Sequence, residues 1–174
     1  MADARAVMSR APAWSVAVAL TAALQLAGCQ WPRDSAGTLD RVRGGGLRVG
    51  VTHTPPWIAV DRDRVSGLEV ELVEAWAAAL GARVIWRHDT ESDLVEALHR
   101  RELDVLAAGL RDDTSFRTRI ALTRPYLELE GAHGTERHVL AVMPGESALL
   151  LSLDRFLAER DRDALRVRAT VLSP

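Results

Sequence analysis

From Leu47 to Leu157 the chain switches repeatedly between short apolar runs and helical recurrences, and this switching constrains its fold more than any other feature. Leu47-Arg48-Val49-Gly50-Val51 reads as a strand, which Pro55 and Pro56 cannot continue because they lack backbone donors and fix a turn before Trp57. Apolar residues at 68, 72, 73, 76, 79 and 80 recur at helical spacing, and Gly81 ends that helix. A strand over Arg83 to Arg87 follows, then a helix capped by Glu91 or Ser92 whose Leu94, Val95 and Leu98 share one face. Asp104 to Ala108 reads as a buried strand ending at Gly109, with further strands expected at Ile120 to Thr123 and His138 to Met143. Pro144-Gly145 turns the chain into an amphipathic helix over Leu149 to Leu157. This alternation with short connections predicts an α/β fold: a mostly parallel open sheet with helices on both faces.

The N-terminal segment has a different character. Arg5 and Arg10 precede an apolar run from Ala11 to Leu26, and Leu26-Ala27-Gly28-Cys29 closes it with the only cysteine of the chain. Positive n-region, apolar h-region, small residues and thiol stand in the order of a bacterial lipoprotein signal. A buried Ala-rich helix carrying a core cysteine is the alternative. Residues 1–28 are therefore expected to be a signal peptide and Cys29 the lipidation site, with more than one acyl chain anchoring the protein. With its only thiol lipidated, the mature chain forms no internal disulfide. Gln30 is not the aspartate that resembles an inner-membrane retention signal, so the expected location is extracytoplasmic, on the periplasmic side of the outer membrane. Residues 29–46, with Pro32, Ser35, Gly37 and Gly44-Gly45-Gly46, read as a tether. Residues 47–163 then form one domain, and 164–174 a C-terminal tail.

Several function classes fall away on charge and motif. The 22 basic residues, all arginine, stand against 24 acidic ones for a net charge of -2, without the basic face that a nucleic-acid partner requires. His53, His88, His99, His133 and His138 show no metal-ligand spacing and read as surface or loop histidines, so no metal or cofactor is expected. Glu69 and Glu71 are two apart and need not share a helix face, Asp112 and Asp113 are adjacent rather than spanning a substrate bond, and no serine has a nucleophile's setting. No enzyme is expected. Trp76 and Trp86 read as core.

Four features together resemble the first lobe of the family-3 extracellular solute-binding proteins. They are the strand Leu47 to Val51 with Pro55-Pro56-Trp57 after it; Gly67-Leu68-Glu69-Val70-Glu71-Leu72 leading into a helix ending Leu80-Gly81; Leu103-Asp104-Val105-Leu106-Ala107-Ala108-Gly109; and Thr123-Arg124-Pro125-Tyr126. His138 to Arg160 resembles the closing strand and helix of the same family. The resemblance implies the class II periplasmic binding fold, used for polar amino acids and also found in the regulatory domain of a lytic transglycosylase. In that family a second, sheet-bearing lobe lies between the proline-tyrosine pair and the closing strand. Here Leu127 to Arg137 supplies only 11 residues, too few for such a domain. The expectation is a solute-binding protein reduced to a single lobe, with no facing lobe to close over a ligand. A second copy in a homodimer, or another envelope protein, would have to supply the missing wall.

The resemblance also implies a site. Trp57 matches the family's aromatic platform, and Gly109 ends the third strand where a bulky side chain would obstruct a ligand. In the family a threonine and an arginine then follow, the arginine gripping a carboxylate with its planar fork. Counted back from Pro125 those positions fall on Asp113 and Phe116; Thr114 and Arg117 are one residue later, and a local shift would restore both roles. The expected ligand-binding residues are thus Trp57, Gly109, Thr114 and Arg117. The expected ligand is a small amino acid or related carboxylate, delivered to a transporter permease. The alternative is a non-catalytic envelope domain holding a partner protein or cell-wall fragment.

Overall fold

The computed structural model describes residues 33–62, 64–131 and 134–172, so the signal segment and Cys29 lie outside the described residues. In chain order the first elements are α1 (Thr38–Val42), β1 (Gly46–Val51), β2 (Ala59–Asp61), β3 (Arg64–Ser66), α2 (Leu68–Ala79), β4 (Arg83–His88) and α3 (Glu91–His99). They are followed by β5 (Val105–Ala107), β6 (Ala121–Leu122), β7 (Leu127–Gly131), β8 (Gly134–His138), β9 (Ala141–Val142), α4 (Ser147–Ala158) and α5 (Arg162–Leu172). The cap of α3 is Thr90 rather than Glu91 or Ser92: its side-chain oxygen accepts from the Asp93 N–H at 3.3 Å and its hydroxyl donates to the Asp93 carboxylate at 2.6 Å.

Five strands form one sheet in the order β4-β1-β5-β9-β6. β1 runs parallel to β4 and to β5, whereas β9 runs antiparallel to β5 and to β6. The fold is α/β as expected, but the sheet is mixed rather than mostly parallel. β9, reached through the β7–β8 hairpin and then Val139 and Leu140, enters the sheet between β5 and β6 and runs opposite to both. Helices cover both faces. Leu47, Val49, Val51, Val105 and Ala107 join one core with residues of α1, α2, α4 and α5, while Leu106, Ala108 and Ala141 join a second with Leu94, Val95 and Leu98 of α3. Trp76 lies fully inside the first core, and Trp86 packs against it half-buried.

Leu127 to Arg137 pairs with itself instead of building a second lobe. β7 and β8 form a two-stranded antiparallel hairpin whose register runs from Leu127 opposite His138 to Gly131 opposite Gly134. The backbone groups that would lead out to another lobe are thereby satisfied locally. His138, expected to open a strand, ends this hairpin.

Both ends of the domain extend further than expected. Residues 33–46 are no tether: α1 buries Leu39 and Val42, and Asp34 joins this segment to α4. One Asp34 oxygen accepts from the Leu39 N–H at 2.7 Å and the other from the Leu149 N–H at 2.8 Å, so a single carboxylate serves two helix N-termini. Glu146, itself buried, accepts from the Ser35 hydroxyl at 2.8 Å and from Arg101 at 2.7 Å. The expected tail is α5, which buries Leu165 and Ala169 against the first core.

Asp34→Ala is expected to lower unfolding stability in urea by about 1–3 kcal/mol, because it leaves two helix-terminal N–H groups without their acceptor. An unchanged midpoint would return residues 33–46 to the role of a tether.

Candidate functional site

A cavity of about 450 Å³ opens where the chain leaves the C-terminal ends of β1 and β5, bounded on one side by the hairpin. Open α/β sheets present ligand sites at this end. Its volume falls within the range of ~300–1,000 Å³ usual for small-molecule sites.

The turn after β1 places Trp57 in the wall. Thr54 and Ile58 exchange backbone hydrogen bonds of 2.8 and 3.0 Å, pinning Pro55, Pro56 and Trp57 between them. The Trp57 carbonyl accepts from the Glu69 N–H at 3.1 Å, tying the turn to the first residues of α2. Gly109 stands across from the indole with φ +66°, and a β-carbon there would lie 2.8 Å from Trp57 Cδ1. The glycine is required by the left-handed backbone and by the approach of the tryptophan, a different reason from clearance for a ligand.

Glu69 holds this arrangement from beneath. It is fully buried, and its carboxylate accepts from the Gly109 N–H at 3.0 Å and from the Tyr126 hydroxyl at 2.7 Å. Burial pushes its pKa up to about 7, against the lowering effect of those two hydrogen bonds. The Tyr126 phenol is pushed well up, first by burial and then by the neighbouring Glu69 charge.

His138 completes the wall. Its ring stacks on Trp57 with centroids 3.8 Å apart and planes 32° from parallel. The backbone around it is fixed on both sides: its carbonyl accepts from the Tyr126 N–H at 3.0 Å, and the Val139 N–H donates to Leu110 at 2.9 Å. The residue is buried, and neither ring nitrogen has a hydrogen-bond partner among the described residues. Burial pushes its pKa down to about 4, with Glu136 opposing and Arg111 reinforcing the shift. This corrects the expectation of a surface or loop histidine. The available signal was the apolar run Val139 to Val142 directly after it, which carries the chain into the core.

The remaining polar groups come from the loop after β5 and from β8. Arg111 reaches Glu136 at 3.0 Å and Asp113 at 3.3 Å, and the Thr114 hydroxyl lies 3.4 Å from Glu91. Trp57, Gly109 and Thr114 are thus brought to one cavity, as the sequence implied. Arg117 is not among the residues lining it: Phe116 packs half-buried against the second core and Arg117 points to solvent. The guanidinium at the cavity is that of Arg111, five residues before Phe116, and spacing to Pro125 gave no sign of it.

Residues 47–166 match the model of the bacterial extracellular solute-binding proteins, family 3. The chain belongs to that family. Among curated relatives of this family-3 protein, membrane-bound lytic murein transglycosylase F of Photobacterium profundum is 38% identical over 95 residues, which is 53% of this chain and 18% of the relative. The protein of the same name from Yersinia pestis is 38% identical over 96 residues, 53% of this chain and 20% of the relative. The chain therefore spans about a fifth of the length of these curated relatives. Among solved structures, the arginine-bound form of domain 1 from TmArgBP superposes with a TM-score of 0.63 at 25% identity, covering 70% of this chain and 98% of that one. An ancestral cationic amino acid solute-binding protein superposes with a TM-score of 0.65 at 14% identity, covering 78% and 99%, a likeness of fold.

The two buried titratable groups of this solute-binding domain predict opposite pH effects. Glu69 keeps its proton in the fold up to about pH 7 but only to 4.5 when exposed, so its contribution to stability is complete below 4.5 and lost as pH rises through 7. His138 stays neutral in the fold down to about 4 but protonates near 6.5 when exposed, so its contribution is complete above 6.5 and lost as pH falls through 4. Between these limits the two oppose each other. Glu69→Gln removes the first effect alone, so the stability gap between wild type and variant should shift in the variant's favour by on the order of 3 kcal/mol from pH 4.5 to 8 in urea titrations. A gap that stays constant with pH would show that Glu69 is ionised throughout.

Proposed function

We propose that this chain is an extracytoplasmic, lipid-anchored solute-binding protein whose open single lobe holds a small amino acid or related carboxylate against Trp57. The observation that carries this reading is the wall itself: an indole platform beside an unpartnered imidazole, at the strand ends where such sheets bind ligands. The arginine-bound form of domain 1 from TmArgBP, a single domain of matching extent, supports an amino acid being held by one lobe. The family supports a binding role rather than catalysis.

In this reading Trp57 packs on the body of the solute, Thr114 offers a hydroxyl, and Gly109 keeps the indole in place. Arg111 takes the carboxylate role that the resemblance implied for Arg117, because it lies in the cavity and two ion pairs leave part of its five-donor fork free. Cys29 carries the anchor, on the periplasmic side of the outer membrane, and a transporter permease receives the solute. Among the described residues no helix is long and apolar enough to cross a membrane.

A second reading is favoured by the 38% identity to membrane-bound lytic murein transglycosylase F. In it the same surface serves as a non-catalytic envelope domain that holds a cell-wall fragment or a protein partner.

Calorimetric titration of the purified full-length chain against amino acids, small carboxylates and soluble muropeptides separates the two. With one wall supplying contacts, an amino acid should bind with Kd of roughly micromolar to millimolar. Trp57→Ala and Arg111→Ala should each weaken it about tenfold or more, and Arg117→Ala by less than about twofold. Loss confined to Arg117→Ala would restore the clamp read from the sequence, and binding of muropeptides alone would establish the second reading.

The anchor is tested by intact mass of the membrane-extracted protein. Cleavage before Cys29 with added acyl chains is expected, both absent in Cys29→Ala. An uncleaved, unmodified chain would overturn the proposed location.

A further inference from the structure

The cavity's charges do not balance. Three carboxylates, Glu91, Asp113 and Glu136, line it with one guanidinium, Arg111. Two of the three already engage that arginine, Glu136 at 3.0 Å and Asp113 at 3.3 Å. Glu91 has no ion-pair partner among the described residues and accepts only a long hydrogen bond of 3.4 Å from Thr114.

His138 adds an independent observation. It is 2% exposed, lines the same cavity, and has both ring nitrogens unpartnered among the described residues. Stacking at 3.8 Å on Trp57 and the backbone bonds around the hairpin's end fix the ring, and Glu136, 3.8 Å from Nε2, lies beyond hydrogen-bond reach. A neutral imidazole presents one N–H donor and one bare acceptor nitrogen. A buried acceptor left without a donor costs free energy, and a site that holds one is built to receive a donor. The complement to a bare nitrogen beside surplus carboxylates is a cationic N–H group.

Resting on the reading that this cavity is the solute site, we propose that it selects solutes carrying a positively charged ammonium or guanidinium group. That group sits against Glu91 and Glu136, with an N–H donated to His138, while the solute's carboxylate meets Arg111. The lowered pKa of His138, about 4, keeps the ring uncharged at neutral pH, so it accepts from a cation instead of repelling it. Glu136 lies 3.8 Å from His138 Nε2, close enough for one cationic group to meet both.

The test is calorimetry on the full-length chain with arginine, lysine, glutamine, leucine and glutamate, at about 0.01 M and 0.15 M salt. Arginine or lysine should bind at least about tenfold tighter than glutamine, with the advantage shrinking at the higher salt, and glutamate should bind weakest. Glu91→Gln, which leaves the Thr90 cap of α3 intact, should weaken arginine about tenfold and glutamine by less than about twofold. Equal losses for arginine and glutamine in that variant would overturn the assignment of Glu91. Glutamine, leucine or glutamate binding as tightly as arginine would overturn charge selection while leaving the solute reading in place. Absence of binding by all five would overturn the solute reading itself and this inference with it.

Discussion

The structure hangs on one buried carboxylate. Glu69 sits in the first turn of α2 and joins two other parts of the chain, the end of β5 through the Gly109 N–H and the entrance of the hairpin through the Tyr126 hydroxyl. Without it the buried Tyr126 phenol would lack an acceptor, a cost of about 1–3 kcal/mol, and the part-buried Gly109 N–H would lose its partner. By fixing Gly109 it also fixes the surface against which Trp57 packs, and Trp57 in turn carries the His138 ring. Desolvation of the carboxylate is the opposing cost, and it raises the pKa to about 7 in spite of the two hydrogen bonds.

The hairpin is the second constraint. β7 and β8 pair over residues that are too few for another domain, and their ladder ends at Leu127 and His138 on the rim of the cavity. Arg111 and His138 form an antiparallel bridge, so the loop after β5 is stitched to the hairpin at the cavity wall. The consequence is a site with a defined floor and one side, open to solvent on the other. In the proposed reading, selectivity comes from the charges and unpartnered nitrogens of this wall.

Electrostatics at the opposite end of the sheet serve structure rather than binding. Asp104, buried at the start of β5, accepts from the backbone N–H of Arg48 at 2.9 Å and from its guanidinium at 2.7 Å, and it also pairs with Arg41 beside α1. Together with the Ser35–Glu146–Arg101 cluster, these contacts lock the segment before β1 onto the domain.

Periodicity and proline placement determined the main elements: the strand expected over 47–51 became Gly46–Val51, the helix expected over 68–80 became Leu68–Ala79, and the short stretch Leu127 to Arg137 became a hairpin. These rest on local physics, the spacing of apolar side chains and the lack of a donor at Pro55 and Pro56, which a sequence states directly. The family resemblance carried by Pro55-Pro56-Trp57 and Ala107-Ala108-Gly109 implied a shared site, and Trp57 and Gly109 do line one cavity. Tertiary structure alone decided the antiparallel placement of β9, the docking of α1 through Asp34, and that Arg111 rather than Arg117 lines the cavity. Each depends on a partner distant in the chain: Asp34 on Leu149, Gly109 on Glu69, His138 on Trp57 and Leu110. A short helix such as Thr38–Val42 has too few turns to show a period, and a histidine acquires its burial from the elements that close over it. The sequence determined which segments pack; where each polar side chain ended up was decided only when those segments met and left it either a partner or none.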